Sequence, residues 1–237
     1  MRPIIVGHRG SPDACPENTL PSFLRAIEVG VDAIEFDVRK TRDSKLVVIH
    51  DDTLNRTTNG KGLVRELTLE QIEYLDAGSW FSSSFKGTKV PTLQEVLEKI
   101  NSKVLMRIEL KDEGIEKDVV EMIKLFELEE NVAIASFNLS SLKKVKELLP
   151  SLSVVAITSN FSKPFIFSAL AHFSNTIAAR FKSFSQEDVR EAHLHGLTFD
   201  VWTVDDCDAL REVLNYGVDS ITTNKPKDIL NCPILKQ

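Results

Sequence analysis

The segment Ala33–Val38 reads AIEFDV, the β-branched and aromatic composition of a buried strand, yet it carries Glu35 and Asp37 two residues apart. Side chains of a strand alternate faces, so both carboxylates share one face. Two like charges resist burial together unless a cation offsets them. A third acid, Glu109, closes another apolar run, Val104–Glu109. Hard oxygen donors without a cysteine partner suit Mg2+ or Ca2+, with Mn2+ as a further candidate and water or substrate completing the shell. His8 and His50 follow other short apolar runs and would carry protons near neutral pH. Arg9 offers a planar fork and Lys111 a mobile point charge, both suited to phosphate oxygens. Pairing with the neighbouring carboxylates is the plainer alternative for both cations. Metal, cations and two histidines together suit phosphate-ester chemistry.

Elements must exist that bring these groups to one place. Strand-like runs occur at Pro3–Val6, Ala33–Val38, Val104–Glu109, Val132–Ala135, Ser153–Ile157, Thr176–Ala179, Leu197–Val201 and Ser220–Thr223. Helical periodicity fills the intervals at Thr19–Val29, Thr92–Ile100, Ile115–Phe126, Leu139–Leu148, Lys163–Ala171, Gln186–Leu194 and Asp205–Leu214. Ser185 and Asp205 are placed as helix N-caps, and Gly196 and Gly217 follow helix ends. One further run, Leu46–Ile49, follows the polar RKTRDSK turn too closely for a helix between, and is expected to return as a hairpin. Alternating strands and helices imply an α/β fold, a (β/α)8 barrel ahead of an open doubly wound sheet, since no Gly-rich dinucleotide loop is present. The expectation is one barrel domain over residues 1–237. A small insertion follows the second strand at about residues 51–91, a stretch too long for an ordinary loop.

In such a barrel the chemistry collects at the C-terminal ends of the strands. Those ends supply His8 and Arg9, Glu35 and Asp37, His50, Glu109 and Lys111, Ser136, Arg180, Trp202, and Thr222 and Asn224. The opposite ends offer nothing comparable. His172, His193 and His195 lie on or just after helices and receive no role.

Net charge is −6 with no block of Lys or Arg, which argues against nucleic acid as partner. No apolar run approaches the roughly 18 residues of a membrane helix, and no basic-then-apolar leader opens the chain. A cytoplasmic location is therefore expected. The three cysteines, Cys15, Cys207 and Cys232, match no zinc spacing and are expected as free thiols in a reducing compartment.

Several motifs resemble the glycerophosphodiester phosphodiesterase family. They are GHRG at 7–10, PENTLPSF at 16–23, GVDAIEFDVRKTRD at 30–43, VVIHDDTLNRTT at 47–58 and VPTLQEVL at 90–97. IELK at 108–111, ASF at 135–137, HGLTFDVWTVDD at 195–206 and GVDSITTNKP at 217–226 complete the set. The set spans nearly the whole chain in the family's order. The resemblance implies a barrel with a small insertion, and a divalent cation on Glu35, Asp37 and Glu109. It also implies His8 and His50 as an acid/base pair, Arg9 and Lys111 on the phosphate, Asn18 as a hydrogen-bond donor at the mouth, and Trp202 as an apolar wall. The chain departs from the family at Asn224, where members often carry Asp, and at Cys15, where a small residue is expected. The implied reaction is hydrolysis of a glycerophosphodiester to glycerol 3-phosphate and an alcohol, by water or by the substrate's own 2-hydroxyl. Two other readings are a lysophospholipase-D-like enzyme using Trp80, Phe81 and Phe85 as an acyl surface, and a non-catalytic phosphate-binding barrel.

Overall fold

The computed structural model describes residues 2–101 and 103–236. The chain begins with strand β1 (Ile4–His8), helix α1 (Leu20–Val29), strand β2 (Ala33–Lys40) and the short strand β3 (Leu46–Val48). After the insertion, which holds helix α2 (Leu69–Glu73), come α3 (Leu93–Ile100), β4 (Leu105–Leu110), α4 (Glu116–Leu125), β5 (Val132–Ser136) and α5 (Leu139–Leu148). The second half runs β6 (Ser153–Thr158), α6 (Lys163–Ala171), β7 (Thr176–Arg180), α7 (Gln186–Leu194), β8 (Thr198–Trp202), α8 (Cys207–Tyr216), β9 (Ser220–Thr223) and α9 (Pro226–Asn231).

The eight strands other than β3 are all parallel to their neighbours, and β1 pairs with both β9 and β2, which closes the sheet into a TIM barrel. β3 lies outside the ring and returns antiparallel along β2, with Val38 opposite Val48 and Lys40 opposite Leu46. The polar RKTRDSK segment therefore makes a hairpin, as its length and composition dictate.

Two larger apolar cores, beside a small cluster inside the barrel, hold the molecule. The larger fills the space between strands and helices; Phe23, Phe36 and Phe199 are fully buried there. The smaller belongs to the insertion, where Leu54, Val64, Ile72, Ala77 and Val90 pack on Val47 and Ile49 of the β3 segment. The insertion is thus fastened to the hairpin that carries His50. Its aromatics stack edge-on, Trp80 on Phe81 and Phe81 on Phe85, and the Trp80 indole donates to the Ala77 carbonyl.

Helix starts follow the local chemistry. Thr92 and Ser185 form reciprocal capping boxes with Glu95 and Asp188. The expected cap at Asp205 is one residue early. Asp206 caps α8, its carboxylate accepting from the Asp208 and Ala209 amides. Asp205 is taken by a different contact, described below. α9 has no counterpart among the expected helices, because six residues give too short a periodic signal.

The expectation of three free thiols is corrected as well. Cys207 and Cys232 form a disulfide with Cα atoms 5.7 Å apart, tying the start of α8 to the end of α9. With a sequence separation of 25, no local spacing announced the pair. The disulfide also removes the thiol-based reason for expecting a reducing compartment. Cys15 is free and buried, and burial pushes its thiol up.

Candidate active site at the C-terminal mouth of the barrel

Strand register assembles the site. In the parallel ladders His8 stands beside Glu35, and Asp37 beside Glu109. All four side chains point into the barrel. One ligand oxygen from each of Glu35, Asp37 and Glu109 lies within 4.8 Å of the other two, and all three residues are buried.

The loop after β1 is shaped to serve this cluster. Arg9 has φ 53° and Asn18 φ 57°, left-handed conformations that non-glycine residues seldom adopt. The turn at Arg9 aims its backbone N–H at Glu35 Oε2, at 3.0 Å. Gly10 follows at φ 91°, and a Cβ there would fall 2.4 Å from the Ser22 hydroxyl, so only glycine lets the loop pass under α1. Asn18 is buried rather than set at the open mouth. Its amide donates to Asp37 Oδ2 at 2.7 Å, while its carbonyl accepts from the Asp37 backbone N–H.

Both cations pair with the carboxylates. Arg9 lies against Glu17 at 2.8 Å and Asp37 at 3.3 Å. The Lys111 ammonium is 2.7 Å from Glu109 and 3.7 Å from Asp37. These pairs do not saturate the cluster. Among the described residues, four buried side-chain polar atoms lack a hydrogen-bond partner, and three of them are here: Glu35 Oε1, Asp37 Oδ1 and Arg9 Nε. Buried acceptors left open in this way are costly, and a hard cation satisfies them with the donor type it prefers. The buried acidic group therefore fits a metal ion.

The electrostatics agree. Burial, then the neighbouring Asp37 charge, pushes Glu35 up to about 8. The same two causes push Glu109 up to about 7. Asp37 is instead held below the usual carboxylate range; burial works against this, but Arg9, Lys111 and His50 outweigh it. His8 and His50 are both lowered, chiefly by burial, with the Arg9 charge adding to it.

Each histidine is held by its Nδ1. His50 Nδ1 is 2.7 Å from the Asp51 carboxylate. Asp51 is kept well below its ordinary range, first by its Arg56 hydrogen bonds. Arg56 also grips Glu17 with two bonds of 2.8 Å, and Glu17 in turn holds Arg9. Arg39 steadies the other side of His50, donating to its carbonyl at 2.9 Å. His8 Nδ1 is 2.7 Å from Asn224 Oδ1, and its Nε2 lies 3.9 Å from Glu35. Both Nε2 atoms are therefore left for the cleft.

The cleft has a volume of about 120 Å3. Its charged wall is His8, Arg9, Glu35, His50, Glu109 and Lys111; Phe137, Ile157, Ala178 and Trp202 form the apolar one. Trp202 stacks edge-on against Phe137 and donates to the Ala178 carbonyl. The floor is an ion pair of Arg107 with the fully buried Asp200, at 2.7 Å, backed by Thr222 and Ser220. Ser136 and Arg180, also at strand ends, are not among the cleft's lining residues. Ser136 is buried and accepts from the Asn138 amide; Arg180 is exposed, 3.5 Å from Asn160. The Trp80, Phe81 and Phe85 cluster does not line the cleft either.

Sequence reasoning missed Asp51, Arg56, Glu17, Arg39, Arg107 and Asp200. Two of these carried a readable signal. Arg107 and Asp200 are charged residues within apolar strand runs, the same anomaly that exposed Glu35 and Asp37. Asp51, Arg56 and Glu17 depend on loop geometry, and Arg39 on the β2–β3 pairing that brings it to the His50 carbonyl.

A TIM barrel whose mouth brings three buried carboxylates, two histidines and two cations together has the layout of a hydrolase of phosphate esters. Comparison with known proteins narrows that class. Residues 8–228 match the model of the glycerophosphoryl diester phosphodiesterase family. A glycerophosphodiester phosphodiesterase of Caldanaerobacter subterraneus subsp. tengcongensis is 39% identical over 238 residues, covering 98% of each chain. One from Bacillus subtilis is 34% identical over 247 residues, covering 95% of this chain and 84% of its own. Among solved structures, a phosphodiesterase of Oleispira antarctica in complex with the product sn-glycerol-3-phosphate superposes with a TM-score of 0.90 at 28% identity, covering 97% and 96% of the two chains. The glycerophosphodiester phosphodiesterase of Agrobacterium tumefaciens does so at 0.85 and 30%, covering 96% and 99%. The chain belongs to the glycerophosphoryl diester phosphodiesterase family and is a phosphoric diester hydrolase. Among the described residues no helix is long and apolar enough to cross a membrane.

Proposed function

We propose that the enzyme hydrolyses glycerophosphodiesters to glycerol 3-phosphate and an alcohol, and that it depends on one divalent cation, Mg2+ or Ca2+. The observation that carries this reading is the set of orphaned oxygens, Glu35 Oε1 and Asp37 Oδ1, inside a three-carboxylate cluster between two histidines. The sn-glycerol-3-phosphate product bound by the Oleispira relative supports the choice of substrate class.

Glu35, Asp37 and Glu109 would hold the cation, which when bound supplies neutralisation of charge at a phosphoryl oxygen. Arg9 and Lys111 exchange part of their carboxylate pairing for the substrate's phosphate oxygens. The Nε2 atoms of His8, at the end of β1, and His50, just after β3, face the cleft. One removes a proton from the attacking hydroxyl and the other gives a proton to the departing alkoxide; the attack is by water directly, or by the glycerol 2-hydroxyl to give a cyclic phosphate that water then opens. Phe137, Ile157, Ala178 and Trp202 receive the carbon part of the substrate, away from the charges. The aromatic cluster of the insertion packs edge-on and does not line the cleft, which favours the glycerophosphodiester over the lysophospholipid reading.

The test is release of glycerol 3-phosphate from several glycerophosphodiesters, first with chelator and then with Mg2+, Ca2+ or Mn2+ restored. Activity should vanish and return. Glu35→Ala should weaken cation binding by calorimetry, whereas His50→Ala should bind the cation and lose turnover by about 10²–10⁴-fold. Turnover indifferent to complete metal removal would sink the proposal.

A further inference from the structure

Two residues with no assigned part lie directly behind His8. Asn224 follows β9, and Asp205 sits in the loop between β8 and α8. Asp205 Oδ1 accepts from the Thr223 hydroxyl at 3.0 Å and from the Asn224 backbone N–H at 2.7 Å. Asp205 Oδ2 lies 2.8 Å from the Asn224 side-chain nitrogen. A carboxylate only accepts, so the NH2 group of Asn224 must face Asp205. The opposite flip would set two oxygens against each other at that distance. With its nitrogen committed, Asn224 can present only its carbonyl oxygen to His8, where the contact is 2.7 Å. An oxygen that only accepts requires His8 Nδ1 to carry the hydrogen.

We infer that Asp205 and Asn224 are positioning residues that lock His8 in the tautomer with Nδ1 protonated, so that the neutral ring always turns a free Nε2 lone pair toward the cleft. Asp205 is not among the cleft's lining residues and acts through two hydrogen bonds in series. The disulfide braces the arrangement from outside: it joins the helices that begin just after Asp205 and Asn224. The inference rests on the proposed proton-carrying role of His8 only for its effect on rate, not for its effect on the ring.

The donor and acceptor logic makes a reciprocal exchange the decisive experiment. In Asp205→Asn, two amide groups meet. The Asn224 amide is then driven to turn over and offer its NH2 to His8, which forces the hydrogen onto Nε2. In the double variant Asp205→Asn/Asn224→Asp, the new carboxylate accepts from both His8 Nδ1 and the new amide, and the original sense returns.

The tautomer is read directly by long-range 1H–15N correlation of the His8 ring at a pH where it is neutral. Expected are Nδ1–H in the wild type, Nε2–H in Asp205→Asn and Nδ1–H again in the double variant. Turnover should follow: kcat falls by about 10²–10⁴-fold in the single variant, with KM little changed, and largely recovers in the double. A purely structural loop contact would not give reciprocal rescue. Nε2–H in the wild type, or Nδ1–H retained in Asp205→Asn, overturns the inference. If instead the tautomers behave as stated while His8→Ala keeps wild-type turnover, the proton-carrying role falls and the lock stands.

Discussion

The interior of the barrel is divided into two unlike halves. The strands β1, β2, β4, β8 and β9 point His8, Glu35, Asp37, Arg107, Glu109, Asp200 and Thr222 inward. The strands β5 to β7 point in Ala135, Val155, Ile157 and Ala178, a small separate apolar cluster that Trp202 joins from β8. The apolar half is complete by itself, since its atoms need only contact. The charged half is not. Among the described residues, its Glu35 Oε1 and Asp37 Oδ1 are buried without a hydrogen-bond partner, and two of its carboxylates are pushed toward the neutral form. A barrel core can thus be self-sufficient on one side and depend on a ligand on the other, and the dependent side is where the chemistry collects.

That contrast can be broken most severely at the floor. Arg107→Met leaves Asp200, which has no exposed surface, with hydroxyl donors but no cation. Removing one partner of a buried pair typically costs about 3–5 kcal/mol. The urea midpoint should fall accordingly, and the double variant Arg107→Met/Asp200→Leu should recover much of the loss. A single variant as stable as the wild type would show that the charged half does not need its pairing.

The next effect is a pH dependence confined to the charged half. In the metal-free protein Glu35 and Glu109 are raised to about 8 and about 7 from an ordinary 4.5. Both favour the folded state in their protonated form, so their contribution is complete below pH 4.5 and is lost as pH rises toward 8. Asp37, held low, contributes in the opposite sense, at more acidic pH. Relative to Glu35→Gln, the wild-type melting temperature in chelator should therefore drop between pH 5 and pH 8. Adding Mg2+ or Ca2+ should restore it at pH 8 far more than at pH 5. Parallel melting curves for the two proteins across that range would contradict the account.

The smallest effect is expected in the apolar half. Ala178→Leu inserts extra methylenes beside Ile157 and Trp202, where overpacking costs roughly 1–3 kcal/mol. Because nothing charged is touched, KM should rise while kcat and cation binding hold. A loss of cation affinity in this variant would mean that the halves are coupled.

Much of this was legible beforehand, for identifiable reasons. Glu35 and Asp37 stood out because a strand has a period of two and tolerates no idle charge on a buried face. The hairpin after β2 was dictated by seven polar residues between two apolar runs. Asp206 rather than Asp205 caps α8 because Asp205 is claimed by Asn224, a partner 19 positions away. The disulfide escaped notice because its two cysteines carry no local pattern, and α9 because it is barely two turns long.

The residue sequence by itself determined the alternation of strand and helix, the parity of side chains along each strand and the chemical types available at the strand ends. Those follow from short-range periodicity and from the steric and hydrogen-bonding limits of each residue. Only the closed barrel decided which of those groups meet. Register set His8 beside Glu35 and Asp37 beside Glu109, and it brought Arg107 to Asp200 across 93 residues. It also determined which nitrogen of each histidine is held, because that depends on the single atom lying behind the ring.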